Sequence, residues 1–384
     1  MALPHANWNY PTAIRFGSGR VGELGDACRS AGMSRPLLVT DPALAKLPMV
    51  GQALDAAGAL LFCDIHSNPV GADVEAGLAA WREGRHDGVV AFGGGSALDV
   101  GKVIAFMSGQ SRPLWDFEDQ ADWWSRADPA GIAPVVAVPT TAGTGSEVGR
   151  AGVILDQDAG IKKIIFHPKM LPAVVILDPE LTLGLPPQVT ATTGMDALSH
   201  CLEAYCAPGF HPMADGIAAE GMKLIRHWLP RAFEDGSDVE ARGHMLVAAS
   251  MGATAFQKGL GGMHALSHPI GALKGTHHGL TNAVLMPYVL AFNRPAVEDR
   301  LARLACYLGL EDASFDGFIA WVIDLRQRLA IPHGLAGIGV EEADLERIAA
   351  MAEADPSAAG NPLPFDCAGA RTVLEAAMAG RMTV

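Results

Sequence analysis

The chain has 384 residues, 49% hydrophobic and 18% charged, which gives ample apolar material for a core and a length that suggests two domains. Its formal net charge of −14 argues against nucleic acid or an anionic membrane surface as a partner, and no apolar run is long enough to span a bilayer. The six cysteines (Cys28, Cys63, Cys201, Cys206, Cys306, Cys367) contain no C-x-x-C pair, which fits reduced thiols in a cytoplasmic protein better than a disulfide framework or a structural zinc site.

The first nine residues have neither a basic region nor an apolar core, so no signal peptide is expected. Residues 8–20 read as short extended segments, broken at Tyr10-Pro11 and Gly17-Ser18-Gly19. A helix is predicted over roughly 21–32, and Pro36-Leu-Leu-Val-Thr-Asp41 reads as a buried strand ending in an acid. Helices are then expected over 43–58 and 72–84, with strands at Ala59–Asp64 and Asp87–Phe92. The second of these runs into Gly93-Gly94-Gly95-Ser96 and a helix from about Ala97. Ile132–Val138 is a further strand, followed by Pro139-Thr-Thr-Ala-Gly-Thr-Gly-Ser-Glu147, and Ala173–Leu177 is the last. Such alternation implies a largely parallel sheet with helices on both faces. From about Thr192 the chain is rich in Ala, Leu, Met and Glu with helical periodicity. The boundary is expected at the Pro/Gly break 183–187, giving an α/β domain over 1–185 and an all-α domain over 186–384.

Two strands end in glycine-rich turns. Glycines let the backbone approach a phosphate, and the following helix start attracts its charge. Gly93–Ser96 is therefore a candidate pyrophosphate cradle, although it is neither a Walker A loop nor G-x-G-x-x-G. Thr140, Thr141, Thr144 and Ser146 add hydroxyls that can wrap a ribose or nicotinamide end. Asp41 could accept from a ribose 2′-OH, which favours NAD over NADP, or simply cap the turn at Pro42.

The densest chemistry lies between Gly194 and Gly279. Asp196 and His200 are four apart, as are His264 and His268, so each pair shares a helix face. A lone histidine is more often a hydrogen-bonded core or surface residue, but four within 264–278 plus an upstream Asp-x-x-x-His are harder to dismiss. Asp196, His200, His264 and either His277 or His278 would suit Fe(II) or Zn(II), whereas Mg and Ca prefer all-oxygen shells. One carboxylate and three neutral imidazoles around a dication leave a net positive site able to stabilise an alkoxide.

Several long motifs in order resemble the iron-containing (group III) alcohol dehydrogenase family across essentially the whole chain. They are Gly93-Gly94-Gly95-Ser96-x-x-Asp99, Pro139-Thr-Thr-x-Gly-Thr-Gly-Ser-Glu147, Gly194-x-Asp-Ala-x-x-His200, Gly261-x-x-His-x-x-x-His-Pro-x-Gly271 and His278-Gly279-x-x-Asn282-x-x-x-x-Pro287. The resemblance implies an N-terminal NAD-binding α/β domain, a helical C-terminal domain and an active site in the cleft between them. It implies metal ligands at Asp196, His200, His264 and, by its spacing, His278, with His268 as a catalytic non-ligand histidine beside the nicotinamide. NAD contacts fall on Asp41, Asn68, Gly94, Gly95, Ser96, Asp99, Thr140, Thr141, Thr144, Ser146 and Lys162, and near Leu181. The implied reaction is NAD-linked hydride transfer from a primary alcohol, with Fe(II) or Zn(II), in a homodimer or larger assembly. The Gln257-Lys258-Gly259-Leu260-Gly261 run is similar to members acting on 4-hydroxybutyrate, which makes Lys258 a candidate for a substrate carboxylate, or otherwise a solvated surface lysine. Other outcomes on this fold are a zinc polyol dehydrogenase and a dehydroquinate-synthase-like lyase; a non-catalytic nucleotide- or metal-binding protein is the alternative from another class.

Overall fold

The apolar runs of the first half pair side by side. A computed structural model describes residues 12–382, so the Tyr10-Pro11 break and the first nine residues lie outside the described part. The described residues fall into two compact units, one ending at Gly184 and the other beginning at Leu185.

In the first unit, β1 (Ala13–Phe16), β2 (Pro36–Val39), β3 (Leu60–Phe62), β4 (Gly88–Gly93), β5 (Val135–Pro139) and β8 (Val174–Leu177) form a parallel six-stranded sheet. Its order is β1-β8-β5-β4-β2-β3. Strands β2, β4, β5 and β8 are buried at every residue, as expected where helices cover both faces, and β1 and β3 form the partly exposed edges. Leu24, Leu38, Val90, Phe92, Val136 and Ile176 belong to one cluster of the core. The connecting helices are α1 (Leu24–Ser30), α2 (Pro48–Ala57), α3 (Gly71–Gly84) and α4 (Gly95–Met107). From β2 the chain moves outward to β3, and from β4 it moves the other way to β5. The carboxyl ends of β2 and β4 therefore frame the switch point where ligands bind in open parallel sheets.

One element is absent from the sequence reading. An antiparallel hairpin, β6 (Ala151–Asp156) and β7 (Ile161–Phe166), forms a separate two-stranded sheet. Its turn is held by Asp156, whose Oδ1 accepts the amides of Asp158 and Ala159, and closes at Gly160 with φ 66°. The last strand before Thr140 starts at Val135 rather than Ile132, because Pro134 has no N–H for the ladder.

The second unit is helical throughout its described elements. It contains α5 (Pro187–Cys206), α6 (Pro212–Glu234), α7 (Val239–Ala255), α8 (Gly262–Lys274), α9 (His278–Leu308), α10 (Phe315–Arg328), α11 (Leu345–Glu353) and α12 (Cys367–Ala379), with short 3-10 turns between. Helix α5 is buried along nearly its whole length and packs against α6, α7 and α9. Among the described residues no helix is both long and apolar enough to cross a membrane.

Candidate functional site

Asp196 and His200 project from one face of α5, His264 from the first turn of α8, and His278 from the first residue of α9. Their ligand atoms all lie within 4.8 Å of one another. The first three are buried, at 3%, 5% and 1% exposure. The His200 and His264 rings stack at 4.8 Å and 23°, and His264 meets His278 at 5.1 Å. Gly279 permits this approach of α9 to α5, since a Cβ there would come within 2.2 Å of the Thr192 carbonyl oxygen and 2.8 Å of Asp196 Cβ. His277, the other candidate, is exposed just before α9 and lies outside the set.

Glu203, one turn beyond His200, fixes the geometry. Its Oε2 accepts from His264 Nδ1 (2.6 Å) and the Gly261 amide (2.9 Å), and its Oε1 accepts from the Met263 amide (2.6 Å). One buried carboxylate thus caps the start of α8 and turns the lone pair of His264 Nε2 toward the cluster. Asn282, fully buried one turn into α9, places its Nδ2 3.0 Å from Asp196 Oδ1, 3.3 Å from His264 Nε2 and 3.1 Å from His278 Nε2. An amide has two hydrogens for these three atoms, so the acceptors outnumber the donor. That surplus of convergent lone pairs, one carboxylate with three imidazoles, is the donor set a borderline dication takes. Burial pushes the Cys201 and Cys206 thiols on α5 up to about 12, which leaves them protonated and poor ligands.

His268, one turn after His264, lies outside the cluster but against it. Its ring is parallel to that of His278 (5.4 Å, 12°) and edge-on to His264 (5.8 Å, 68°). Its Nδ1 meets Asp355 Oδ2 at 2.8 Å. Burial opposes the Asp355 charge, but His268 and the Ser357 amide outweigh it and hold the carboxyl below its ordinary range.

Lys258 is not the solvated surface lysine that one sequence reading allowed. Its side chain is 1% exposed and its Nζ lies 2.6 Å from Asp215 Oδ1 and 3.3 Å from the Tyr205 carbonyl oxygen. Arg300 shares the same Asp215 oxygen at 2.6 Å. The carboxylate that Lys258 faces in the structure belongs to the protein, and the residue is not a solvated surface lysine.

In the first unit, Gly94, Gly95 and Ser96 lie at the carboxyl end of β4, with Thr140, Thr141, Thr144 and Ser146 following the neighbouring β5. Gly95 lets the second loop pack on the first, because a Cβ there would come within 2.6 Å of Thr144 Cγ2. Asp41 follows β2; its Oδ1 accepts the amides of Ala43 and Leu44, both at 2.9 Å, so that oxygen acts as the local cap. Ser96 Oγ donates to the Ser67 carbonyl oxygen (2.6 Å), next to the half-buried Asn68. Lys162 lies on β7, opposite Leu155. Leu181 places its side chain in the apolar core, so only its backbone is suited to meet a ligand.

Asp99 faces inward. Its Oδ1 accepts from Ser146 Oγ (2.5 Å) and its Oδ2 from the Val153 amide (3.0 Å). Beside it Lys102, 1% exposed, donates to the carbonyl oxygens of Ser146 (2.9 Å) and Ala151 and lies 3.3 Å from Asp99 Oδ1. Burial pushes the Lys102 pKa down, against the pull of Asp99. The two residues tie the helix after the first glycine turn to the loop after the second.

Sequence reasoning did not single out Glu203, Asp355 or Lys102. Glu203 carried a signal, since 196, 200 and 203 fall on one helical face. Asp355 carried none, because 87 positions separate it from His268.

Comparison with known proteins agrees with this geometry. Residues 11–179 match the family described as iron-containing alcohol dehydrogenase, and residues 190–378 match the C-terminal region of the Fe-containing alcohol dehydrogenase family. The chain is 42% identical over 383 residues to a 4-hydroxybutyrate dehydrogenase of Cupriavidus necator, covering 96% of this chain and 99% of the relative. Among solved structures it is similar to a 1,3-propanediol oxidoreductase (TM-score 0.91, 33% identity, 97% of this chain and 100% of the other). It is also similar to sulfoacetaldehyde reductase from Bifidobacterium kashiwanohense in complex with NAD+ (TM-score 0.88, 30% identity, 97% and 99%).

Proposed function

The chain belongs to the iron-containing alcohol dehydrogenase family, an NAD-dependent class of alcohol oxidoreductase, and we propose that it interconverts a primary alcohol bearing a terminal carboxylate with the matching aldehyde. The balanced reaction is alcohol plus NAD+ giving aldehyde, NADH and a proton. The observation that carries the reading is the convergence of Asp196, His200, His264 and His278 from three helices. These four would hold the cation, Fe(II) or Zn(II), which when bound lowers the pKa of an alcohol and stabilises its alkoxide, while NAD takes the hydride.

The remaining tasks fall to the chain. Glu203 and Asn282 orient Asp196, His264 and His278 by the contacts given above. His268 meets the substrate hydroxyl through its Nε2. Gly94, Gly95, Ser96, Thr140, Thr141, Thr144 and Ser146 are assigned to the dinucleotide, with Asp41, Asn68 and Lys162 at its margins. Asp99 is assigned to them indirectly, through Ser146. The carboxylate on the substrate is supported by the similarity to the 4-hydroxybutyrate dehydrogenase.

Elemental analysis of the purified protein, combined with NADH absorbance on a panel of ω-hydroxy acids, plain alcohols and polyols, tests this reading. Stoichiometric iron or zinc and turnover of an ω-hydroxy acid are expected. A protein that binds no transition metal and turns over none of the panel would overturn it.

A further inference from the structure

Asp355 lies in the loop after α11, and its two oxygens have separate tasks. Oδ1 accepts the Ser357 amide at 2.8 Å, which fixes the carboxylate to its own turn. Oδ2 meets His268 Nδ1 at 2.8 Å, and the pair is largely buried, at 10% and 15% side-chain exposure. An ionised carboxylate only accepts, so the hydrogen between them sits on Nδ1 and the ring's lone pair is on Nε2. That Nε2 makes no hydrogen bond among the described residues, and the ring carrying it runs parallel to that of His278, with centroids 5.4 Å apart. A histidine held this way presents an acceptor beside the four-residue cluster, and it cannot rotate without breaking the bond to Asp355. The arrangement matches Glu203 with His264: in both, a buried carboxylate on a different element fixes Nδ1.

We propose that Asp355 is a positioning residue of the alcohol site, fixing the plane and tautomer of His268 so that Nε2 accepts a hydrogen bond from the substrate hydroxyl. The proposal rests on the reading of this site as alcohol-oxidising. Asp355→Asn keeps the shape of the side chain but reverses one contact. With the amide oxygen still on the Ser357 N–H, the NH2 faces His268 and forces Nδ1 to accept. The ring hydrogen then moves to Nε2, which becomes a donor where an acceptor is needed.

Two readouts test this on the zinc-loaded protein labelled with ¹⁵N-histidine. The ring ¹⁵N shifts of His268 should report Nδ1–H in the parent chain and Nε2–H in Asp355→Asn. In parallel, kcat for alcohol oxidation should fall about tenfold or more with zinc content and NADH affinity unchanged. His268→Ala should show a similar fall, and the double variant no further one, since a residue that acts through another is not additive with it. Asp355→Glu retains the acceptor and should lose less than Asp355→Asn. Additive losses, an unchanged tautomer, or equal losses in the Asn and Glu variants would each overturn the proposal. Absence of alcohol turnover in the parent chain would instead overturn the functional reading, and the tautomer would still be decided by the ¹⁵N shifts.

Discussion

Glu203 on α5 holds the His264 ring on α8 by its Nδ1 hydrogen at 2.6 Å, and takes the Gly261 and Met263 amides with the same carboxylate. No oxygen of this group is left to reorganise. Glu203→Gln substitutes an NH2 where one of three donors must be accepted, so either the α8 cap or the His264 bond is lost. We expect metal affinity to fall about 10- to 100-fold, the usual effect of removing such an outer partner. Competition with a chromophoric chelator measures it; unchanged affinity would mean that His264 is oriented by packing alone.

The four-residue set ties α5, α8 and α9 together, so metal binding should appear as thermal stability of the helical unit. At a free metal concentration of about 100 times Kd, mass action contributes roughly 2.7 kcal/mol. For a unit of this size that corresponds to a rise of about 5–10 °C in Tm. Calorimetry of chelator-treated protein with Fe(II) or Zn(II) added back should show the shift, and His264→Ala should lack it. A shift that persists in His264→Ala would place the cation elsewhere.

How far each part was legible follows from how local its cause is. The buried runs at β2, β4, β5 and β8 announce a parallel sheet because burial on both faces demands continuous apolar residues. The Asp-x-x-x-His and His-x-x-x-His spacings announce two faces because a helix repeats at that interval. The β6–β7 hairpin went unread, since Ile161–Phe166 mixes two lysines into an apolar run and the four-residue turn before it has no Asn-Gly or Asp-Gly pair. Asp99 and Lys258 show the other limit. Their residue types suit a ligand, and within the chain the structure pairs Asp99 with Ser146 and the Val153 amide, and Lys258 with Asp215. Those partners are distant in sequence, and no spacing rule reaches them.

Lys102 supports the glycine-rich loop after β5 from beneath, by its bonds to the Ser146 and Ala151 carbonyl oxygens. Lys102→Met removes the donor and leaves both acceptors buried, a loss of about 1–3 kcal/mol of stability. The functional effect should be confined to the dinucleotide: a severalfold rise in KM and Kd for NAD, with kcat at saturating NAD and metal content little changed. Fluorescence titration with NADH separates this from general destabilisation, which would lower Tm without weakening NADH binding to the folded protein.

Lys258 separates a structural pin from a substrate contact. Its ammonium is buried against Asp215 and the Tyr205 carbonyl oxygen, and burial pushes its pKa down while Asp215 opposes that fall. Two cations, Lys258 and Arg300, share one Asp215 oxygen, so removing Lys258 leaves the carboxylate still paired. Lys258→Met should therefore lower Tm modestly and reduce kcat/KM by similar factors for an ω-hydroxy acid and for the plain alcohol of equal length. A direct contact with the substrate carboxylate would instead give a selective loss on the hydroxy acid, mostly in KM, because the uncharged alcohol never used the ammonium. The ratio of the two specificity constants, measured in the parent chain and in Lys258→Met, decides the matter: an unchanged ratio identifies the pin, and a tenfold fall would assign Lys258 to the substrate.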